Sequence, residues 1–188
     1  MVKRGPWTMI KEEVRYNSPW IEVSQHEVID PGGSSGIYGV VHFRNIAIGV
    51  IPMDEAGNTW IVGQYRYPVQ AYSWEIVEGG GSRDIDPIIS ARRELREEAG
   101  IEASQWDEIL RMDLSNSASD ERAIIYLARG LSFVPAEPDH NEELELKKLP
   151  FEDLYAMVLR GDLVDSLTVA AVLKLKLLLL EGKVDIQK

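Results

Sequence analysis

The 188-residue sequence contains no cysteine, so it can form neither a disulfide framework nor a zinc–thiolate site. A thiol nucleophile is excluded for the same reason. The composition agrees with a reducing compartment, and we expect a cytoplasmic protein. Long apolar runs are also missing. The stretch 167–180 contains two lysines and is too short to span a bilayer, and residues 1–14 lack the apolar centre of a secretory signal, so no membrane partner is expected.

Positive charge is scarce, because 20 Lys and Arg residues face 31 Asp and Glu residues, giving a formal net charge of −11. Such a chain repels polyphosphate surfaces at long range, so nucleic acid is not an expected partner. A phosphorylated small molecule would need local cations or a bound metal ion. With 45% hydrophobic residues, the composition is that of one globular domain with a small appended element.

The first 45 residues alternate short apolar groups around an Asp-Pro-Gly-Gly turn at 30–33. This pattern predicts a small antiparallel β element. Because it carries little core of its own, it should pack on the main domain or on a second subunit. We therefore divide the sequence into an N-terminal element, 1–45, and a main domain, 46–188.

The main domain mixes strands and helices without regular βαβ alternation, which predicts an α+β fold. A glycine-rich loop at 78–82 is expected to lead into a helix that is capped by Asp86 and ends at Gly100. Two further helices are expected at 151–159 and 167–180. The predicted strands cover residues 46–53, 59–65, 74–77, 108–112, 123–128 and 144–149.

Glu94, Glu97 and Glu98 are spaced by three and four residues on the predicted helix, so their carboxylates share one face. For an arbitrary helix, the ordinary interpretation is a solvated face that Arg93 and Arg96 neutralise. The alternative is a site of hard oxygen ligands suited to Mg²⁺. The glycine-rich segment directly before the helix and the clear helix ends favour the metal site.

Gly79 and the run Arg93-Glu94-Leu95-Arg96-Glu97-Glu98-Ala99-Gly100-Ile101 resemble the Nudix box. One position departs, since the first glutamate of the box falls on Ile85, which Asp84 and Asp86 flank. The resemblance implies an α/β/α sandwich with a mixed sheet. It also implies Mg²⁺, with Mn²⁺ as the alternative ion, bound by Glu94, Glu97, Glu98 and the backbone carbonyl of Glu78. Arg93 would orient the carboxylates, as metal sites generally require.

The segments Val62-Gly63-Gln64-Tyr65-Arg66-Tyr67-Pro68 and Trp74-Glu75-Ile76-Val77-Glu78-Gly79 resemble the ADP-ribose and nucleotide-sugar pyrophosphatase branch. This implies that Arg66 contacts the diphosphate and that Glu75 belongs to the substrate-binding residues. Trp20 and Tyr38 stand where this branch carries aromatic residues that sandwich the base, often across a homodimer interface. The alternatives are that Arg66 is an exposed strand-end residue and that Trp20 is core.

The acidic run 137–143 stands where relatives carry the catalytic base, so the resemblance implies Glu142 or, as second choice, Glu143. Together with Glu97 these residues form the predicted catalytic set. The reaction would be Mg²⁺-dependent hydrolysis of ADP-ribose to AMP and ribose 5-phosphate. Asn116 replaces a proline common in that branch, which leaves GDP-mannose and NADH open. Asp162, Asp165 and Thr168 also resemble the branch but receive no role.

Two alternatives come from other classes of protein. The chain could bind a nucleotide sugar without turning it over, although the intact Arg-Glu and Glu-Glu pairs of the box argue against this. It could also be a structural acidic domain, but the nine-position match to the box would then be a coincidence. The isomerase activity of some Nudix-fold proteins is disfavoured, because the catalytic cysteine usual in that branch is missing from this sequence.

Overall fold

A computed structural model describes residues 1–137 and 143–185. The chain forms two compact units, one made of Met1–Ile46 with Met112–Arg122, the other of Ala47–Arg111 with Ala123–Lys188. The first unit therefore includes a segment, 112–122, that the sequence assigned to the main domain.

The first unit contains a four-stranded sheet in the order β1-β2-β3-β4, in which every neighbouring pair is antiparallel. The predicted N-terminal antiparallel element is thus confirmed. The turn between β3 and β4 is closed by Asp30, whose backbone N–H donates to Ser34 O at 2.9 Å. The strands are β1 (Val2–Arg4), β2 (Trp7–Asn17), β3 (Ile21–Ile29) and β4 (Ser35–Phe43).

The remaining strands form two sheets, in the orders β8-β5-β10-β9 and β11-β6-β7. β5 and β10 run parallel, whereas β6 is antiparallel to both β7 and β11, so the predicted α+β class is confirmed. The strands are β5 (Asn45–Pro52), β6 (Asn58–Arg66), β7 (Ala71–Glu75), β8 (Val77–Ser82), β9 (Ile101–Asp113), β10 (Arg122–Phe133) and β11 (Glu145–Pro150). The helices are α1 (Pro87–Ala99), α2 (Phe151–Arg160) and α3 (Ser166–Leu180).

The core of the second unit lies on the parallel pair β5 and β10, whose central residues are buried. Both faces of such strands are covered, which explains their continuous apolar sequences. Helix α1 packs on β8 and buries Ala91 and Leu95. Its ends match the sequence prediction: the Asp86 carboxylate accepts from Ile88 N, and Gly100 adopts a left-handed φ of 61°.

Three sequence predictions about the secondary structure are wrong. The predicted strand 74–77 falls on the end of β7, at Glu75, and the start of β8, at Val77. Residues 78–82, expected as a loop, belong to strand β8. The glycines of this strand instead allow helix α1 to pack close to it, because a Cβ at Gly81 would meet Ser90 Oγ of α1 at 2.9 Å. Strand β9 begins at Ile101 rather than at 108. Its first half carries many exposed polar residues, as an edge strand can, so the apolar alternation that marks strands is weak there.

None of the helices in the described ranges is both long and apolar enough to cross a membrane.

Candidate active site

The carboxylates of α1 differ in burial although they share a helix face. Glu94 and Glu98 are only 7% and 6% exposed, whereas the Glu97 side chain is 36% exposed. Burying a carboxylate is costly unless hydrogen bonds or cations compensate for the lost hydration. A simple solvated charge face therefore does not describe this helix.

Arg93 holds two of these carboxylates with one guanidinium group. Its Nη2 donates to Glu94 Oε1 at 2.5 Å and to the backbone carbonyl of Gly80 at 3.0 Å, while Nη1 donates to Glu97 Oε2 at 2.7 Å. Burial by itself lowers the pKa of Arg93, but Glu94 and Glu97 outweigh it and raise that pKa. Arg93 thus makes the contacts that an orienting residue requires.

Strand β8 lies in direct contact with the α1 carboxylates. A Cβ built on Gly79 would overlap the carboxyl group of Glu94, so only glycine leaves that carboxyl its present place. The backbone N–H of Glu78 donates to Glu98 Oε2 at 3.3 Å. The glycine of the box and its glutamates therefore form one packed arrangement.

Two residues at the start of α3, Asp165 and Thr168, interact with Glu78 of β8. The sequence did not predict this interaction. The buried Thr168 Oγ1 accepts from Ile76 N at 3.0 Å and donates to Glu78 Oε1 at 3.2 Å. Asp165 caps α3 by accepting from Thr168 N at 2.8 Å. The Asp-x-x-Thr spacing is a visible helix-cap signal, but nothing local indicates its link to Glu78.

The Glu78 carboxyl has a pKa well above its usual range. Burial is the main cause, and the neighbouring carboxylates Asp165 and Glu75 add to it, while Arg66 opposes it. A carboxylate next to other buried carboxylates is harder to ionise, which accounts for the direction of this shift.

Replacing Thr168 with valine should destabilise the protein by about 1 to 3 kcal/mol, because the buried Ile76 N–H loses its acceptor while the side-chain volume is kept. Urea denaturation of the wild type, Thr168→Val and Thr168→Ser would measure the change. The serine variant retains the hydroxyl and should lose less stability. Equal stability of the valine variant and the wild type would contradict the bridging role.

Arg66 is held by Glu75 through three hydrogen bonds. Its Nε lies 3.0 Å from each Glu75 carboxylate oxygen, and its Nη2 lies 2.5 Å from Oε2. The Glu75 side chain is 3% exposed and that of Arg66 is 39% exposed. Arg66 is therefore an anchored cation with an open side, not a free strand-end residue. Burial alone would lower the pKa of Arg66, but its bonds to Glu75 raise it.

The predicted base-binding residues Trp20 and Tyr38 both belong to the first unit. Trp20 is 72% exposed, so the alternative that it is a core residue is wrong. The Tyr38 hydroxyl donates to Ser117 O at 2.6 Å, and its ring meets the Trp7 ring edge-on at 5.4 Å. Tyr38 and Trp7 line a pocket of about 220 Å³, and Trp7 was not among the sequence candidates.

The predicted catalytic bases have different outcomes. Glu142 lies outside the described residues. Glu143 is exposed. Desolvation, Glu145 and Glu143 together raise the pKa of Tyr72 in β7.

At the position where the sequence departs from the Nudix box, Ile85 is 44% exposed, and its neighbour Asp86 caps α1. Asp86 thus has a structural role there.

A pocket of about 610 Å³ lies beside α1 and includes Glu97 in its wall. Arg92, Arg93 and Arg96 also line it, and the Arg92 guanidinium lies 5.9 Å from the centre of the Trp106 ring. Three glutamates, Glu97 among them, line the same pocket, so the formal charges of its wall balance.

Both parts of the sequence match models of known protein families. Residues 43–168 match the NUDIX domain, and residues 7–41 match the nucleoside diphosphate sugar hydrolase N-terminal domain. The fold, with its glycine-anchored acidic helix, and the matched domain define a Nudix hydrolase, and the chain belongs to the Nudix family. The family resemblance seen in the sequence is thereby confirmed.

Individual relatives agree with this assignment. The chain is 35% identical over 170 residues to an ADP-ribose pyrophosphatase of Mycobacterium tuberculosis, covering 87% of this chain and 80% of the relative. It is 29% identical to a methanol dehydrogenase activator of Bacillus methanolicus, covering 89% and 91% of the two chains. A crystal structure of an ADP compounds hydrolase superposes with a TM-score of 0.84 over 98% of this chain and 100% of that one. At 18% identity, that likeness shows the fold.

Proposed function

We propose that this protein hydrolyses the diphosphate bond of a nucleoside diphosphate sugar, with ADP-ribose as first candidate and AMP and ribose 5-phosphate as products. The observation that carries the proposal is the packing of Gly79 against Glu94 within the matched Nudix domain. The matched N-terminal domain and the ADP-ribose pyrophosphatase relative support the substrate class. The cytoplasm is the proposed location, since a cysteine-free chain suits a reducing compartment.

We propose that the α1 carboxylates hold a hard divalent cation. Glu94, Glu97 and Glu98 offer only oxygen atoms as metal ligands, and Gly79 lets the backbone of β8 lie close to the Glu94 carboxylate. The nearly buried Glu94 carboxylate is already compensated by a cation, the Arg93 guanidinium. Mg²⁺ is the proposed ion, with Mn²⁺ as the alternative, and the backbone carbonyl of Glu78 is a further proposed ligand.

In the proposed mechanism, the ion would supply shielding of the diphosphate charge and would lower the pKa of its bound water. Glu94, Glu97 and Glu98 would hold the ion, and Arg93 keeps the first two of these carboxylates in position. Arg93 therefore acts as a positioning residue.

The proposed substrate contacts follow the family resemblance. Arg66, oriented by the buried Glu75, would donate to the diphosphate oxygens, and Tyr38 and Trp20 would stack on the base. Glu142, or Glu143 as second choice, accepts the proton of the attacking water. The water oxygen then bonds to phosphorus, the bridging P–O bond breaks, and the phosphate on the other side leaves.

A substrate panel tests this function. ADP-ribose, ADP-glucose, GDP-mannose and NADH are incubated with the protein and Mg²⁺, and release of the nucleoside monophosphate is measured, with and without EDTA. We expect metal-dependent AMP release that is fastest with ADP-ribose. Faster turnover of GDP-mannose or NADH would make that compound the assigned substrate and would leave the assignment to the family unchanged. Tight binding of ADP-ribose without turnover would overturn the enzymatic proposal and favour a nucleotide-sugar binding protein.

We further propose a homodimer formed through the N-terminal element and the last helix. Support comes from apolar side chains of α3 that are exposed in the single chain, with Leu173 at 37%, Leu177 at 56% and Leu180 at 72%. Light scattering should then give twice the chain mass of 21.2 kDa. A monomer at micromolar concentration would contradict the proposal.

A further inference from the structure

The N-terminal sheet brings together the side chains of Glu12, His26 and His42 from its three neighbouring strands β2, β3 and β4. One carboxylate oxygen and one ring nitrogen from each histidine lie within 4.8 Å of one another. Glu12 stands directly across from His26 in the β2–β3 register. The sequence contains only three histidines, so two of them meet at this point.

His42 is oriented by a carboxylate. Its Nδ1 lies 3.0 Å from Asp120 Oδ2, and the other oxygen of Asp120 accepts from the backbone N–H of Phe43 at 2.9 Å. Since a carboxylate accepts hydrogen bonds, the proton of neutral His42 belongs on Nδ1. Its Nε2 then directs a lone pair towards Ser24 and the cluster. Metal-bound histidines are commonly held by a carboxylate in this way.

His26 meets the other members of the cluster through its Nε2. That atom lies 3.2 Å from Glu12 Oε1 and 2.9 Å from Ser24 Oγ, whose hydroxyl lies 3.2 Å from His42 Nε2. His26 is 3% exposed, whereas the Glu12 side chain is 38% exposed, so an ion can enter from the Glu12 side. The histidine nitrogens are thus preorganised in the sheet while the carboxylate can adjust.

We propose that His26, His42 and Glu12 bind a transition-metal ion of the Zn²⁺ class. Two imidazole nitrogens and one carboxylate oxygen form a ligand set known from zinc sites, with a fourth position left for water. The neutral His26 ring would move its proton to Nδ1, and the Ser24 hydroxyl would rotate away. Glu12 would turn inwards, because metal–ligand distances of about 2.0 to 2.2 Å require a tighter cluster.

Local charges are consistent with a dication. Glu12 and Asp120 supply two negative charges near the ion, while Arg4 Nη2, at 3.6 Å from Glu12 Oε2, acts against it. The Arg4 side chain is 48% exposed and can withdraw into solvent. Nitrogen ligands favour Zn²⁺, Ni²⁺ or Cu²⁺ over Mg²⁺, so this site would differ in selectivity from the carboxylates of α1. The ion would tie three strands together and, through Asp120, the segment 112–122.

Electron paramagnetic resonance with one equivalent of Cu²⁺ tests the ligand set directly. The α1 carboxylates cannot produce nitrogen superhyperfine splitting, whereas imidazoles can. We expect splitting from two nitrogens in the full-length wild type, the same splitting in the control His140→Gln, and loss of at least one nitrogen in His42→Gln. Absence of nitrogen splitting in the wild type, or its persistence unchanged in His42→Gln, would overturn the proposal.

Glu12→Gln provides a second test that does not depend on altering a histidine. Glu12 is partly exposed, and the amide oxygen can still accept from His26, so the sheet should fold normally. Zn²⁺ affinity is measured by competition with a chromophoric chelator in excess Mg²⁺, which occupies the α1 carboxylates. We expect affinity to fall at least about 10-fold relative to the wild type. An unchanged affinity would show that the cluster is only a hydrogen-bonded network.

Discussion

Replacing Glu97 with glutamine is expected to lower kcat/KM for ADP-ribose by about 10²- to 10³-fold, because charge stabilisation of the reacting diphosphate would be weakened. Glu97 is the informative choice among the α1 glutamates. Its side chain is 36% exposed, so the substitution should change the thermal midpoint little, and a loss of activity can be assigned to function. Steady-state kinetics at saturating Mg²⁺, with thermal unfolding of the same samples, measures both effects.

Glu102→Gln is the matched control for this experiment. Glu102 is also half-exposed and faces an arginine of α1, with Arg96 Nε 3.9 Å from its carboxylate. It lies outside the Nudix box, so its replacement should leave kcat/KM within about twofold of the wild type. If Glu97→Gln behaved like this control, the metal-binding role of the α1 glutamates would be wrong.

Replacing Gly79 with alanine is expected to lower activity by about 10²-fold or more, because the new methyl group would occupy the place of the Glu94 carboxyl. Glu94 would have to rotate away from Arg93, and the ligand set would lose a member. The displaced atoms form the end of a side chain, so the fold should survive. Kinetics on Gly79→Ala and on Gly36→Ala, a strand glycine with open space around it, would measure the effect.

A double-variant cycle shows whether the effect runs through Glu94. If Gly79→Ala acts by displacing that carboxyl, adding it to Glu94→Ala should cost little further activity, since contacting residues are not additive. Fully additive losses in the double variant would mean that Gly79 acts by another route, such as direct substrate contact.

Local sequence signals predicted much of the main domain. Helix α1 begins after the capping residue Asp86, with Pro87 at its first position, and ends at Gly100. Both ends could therefore be predicted from steric and capping rules alone. The strands β5 and β10 are continuous apolar segments and were predicted for the same reason. Strand β8 was misjudged, since three consecutive glycines resemble a loop unless the neighbouring helix is known to press on them.

Residues that act across long sequence separations were the ones missed. Thr168 bonds to Ile76 and Glu78 from about ninety residues away, with separations of 92 and 90. Trp7 meets Tyr38 across the N-terminal sheet, and the pairing depends on how the strands are aligned. No local sequence pattern shows that residues so far apart in the chain will come into contact.

The sequence by itself determined the kind of protein this is. The helical spacing of three glutamates, the glycine fourteen residues before Arg93 and the capped helix ends are all local features that the chain carries whatever its surroundings. The tertiary structure decided which carboxylates are buried, which guanidinium groups hold them and which residues of distant elements join them. Burial and hydrogen-bond pairing arise only when segments far apart in the chain pack together, because they depend on the neighbours that each side chain meets.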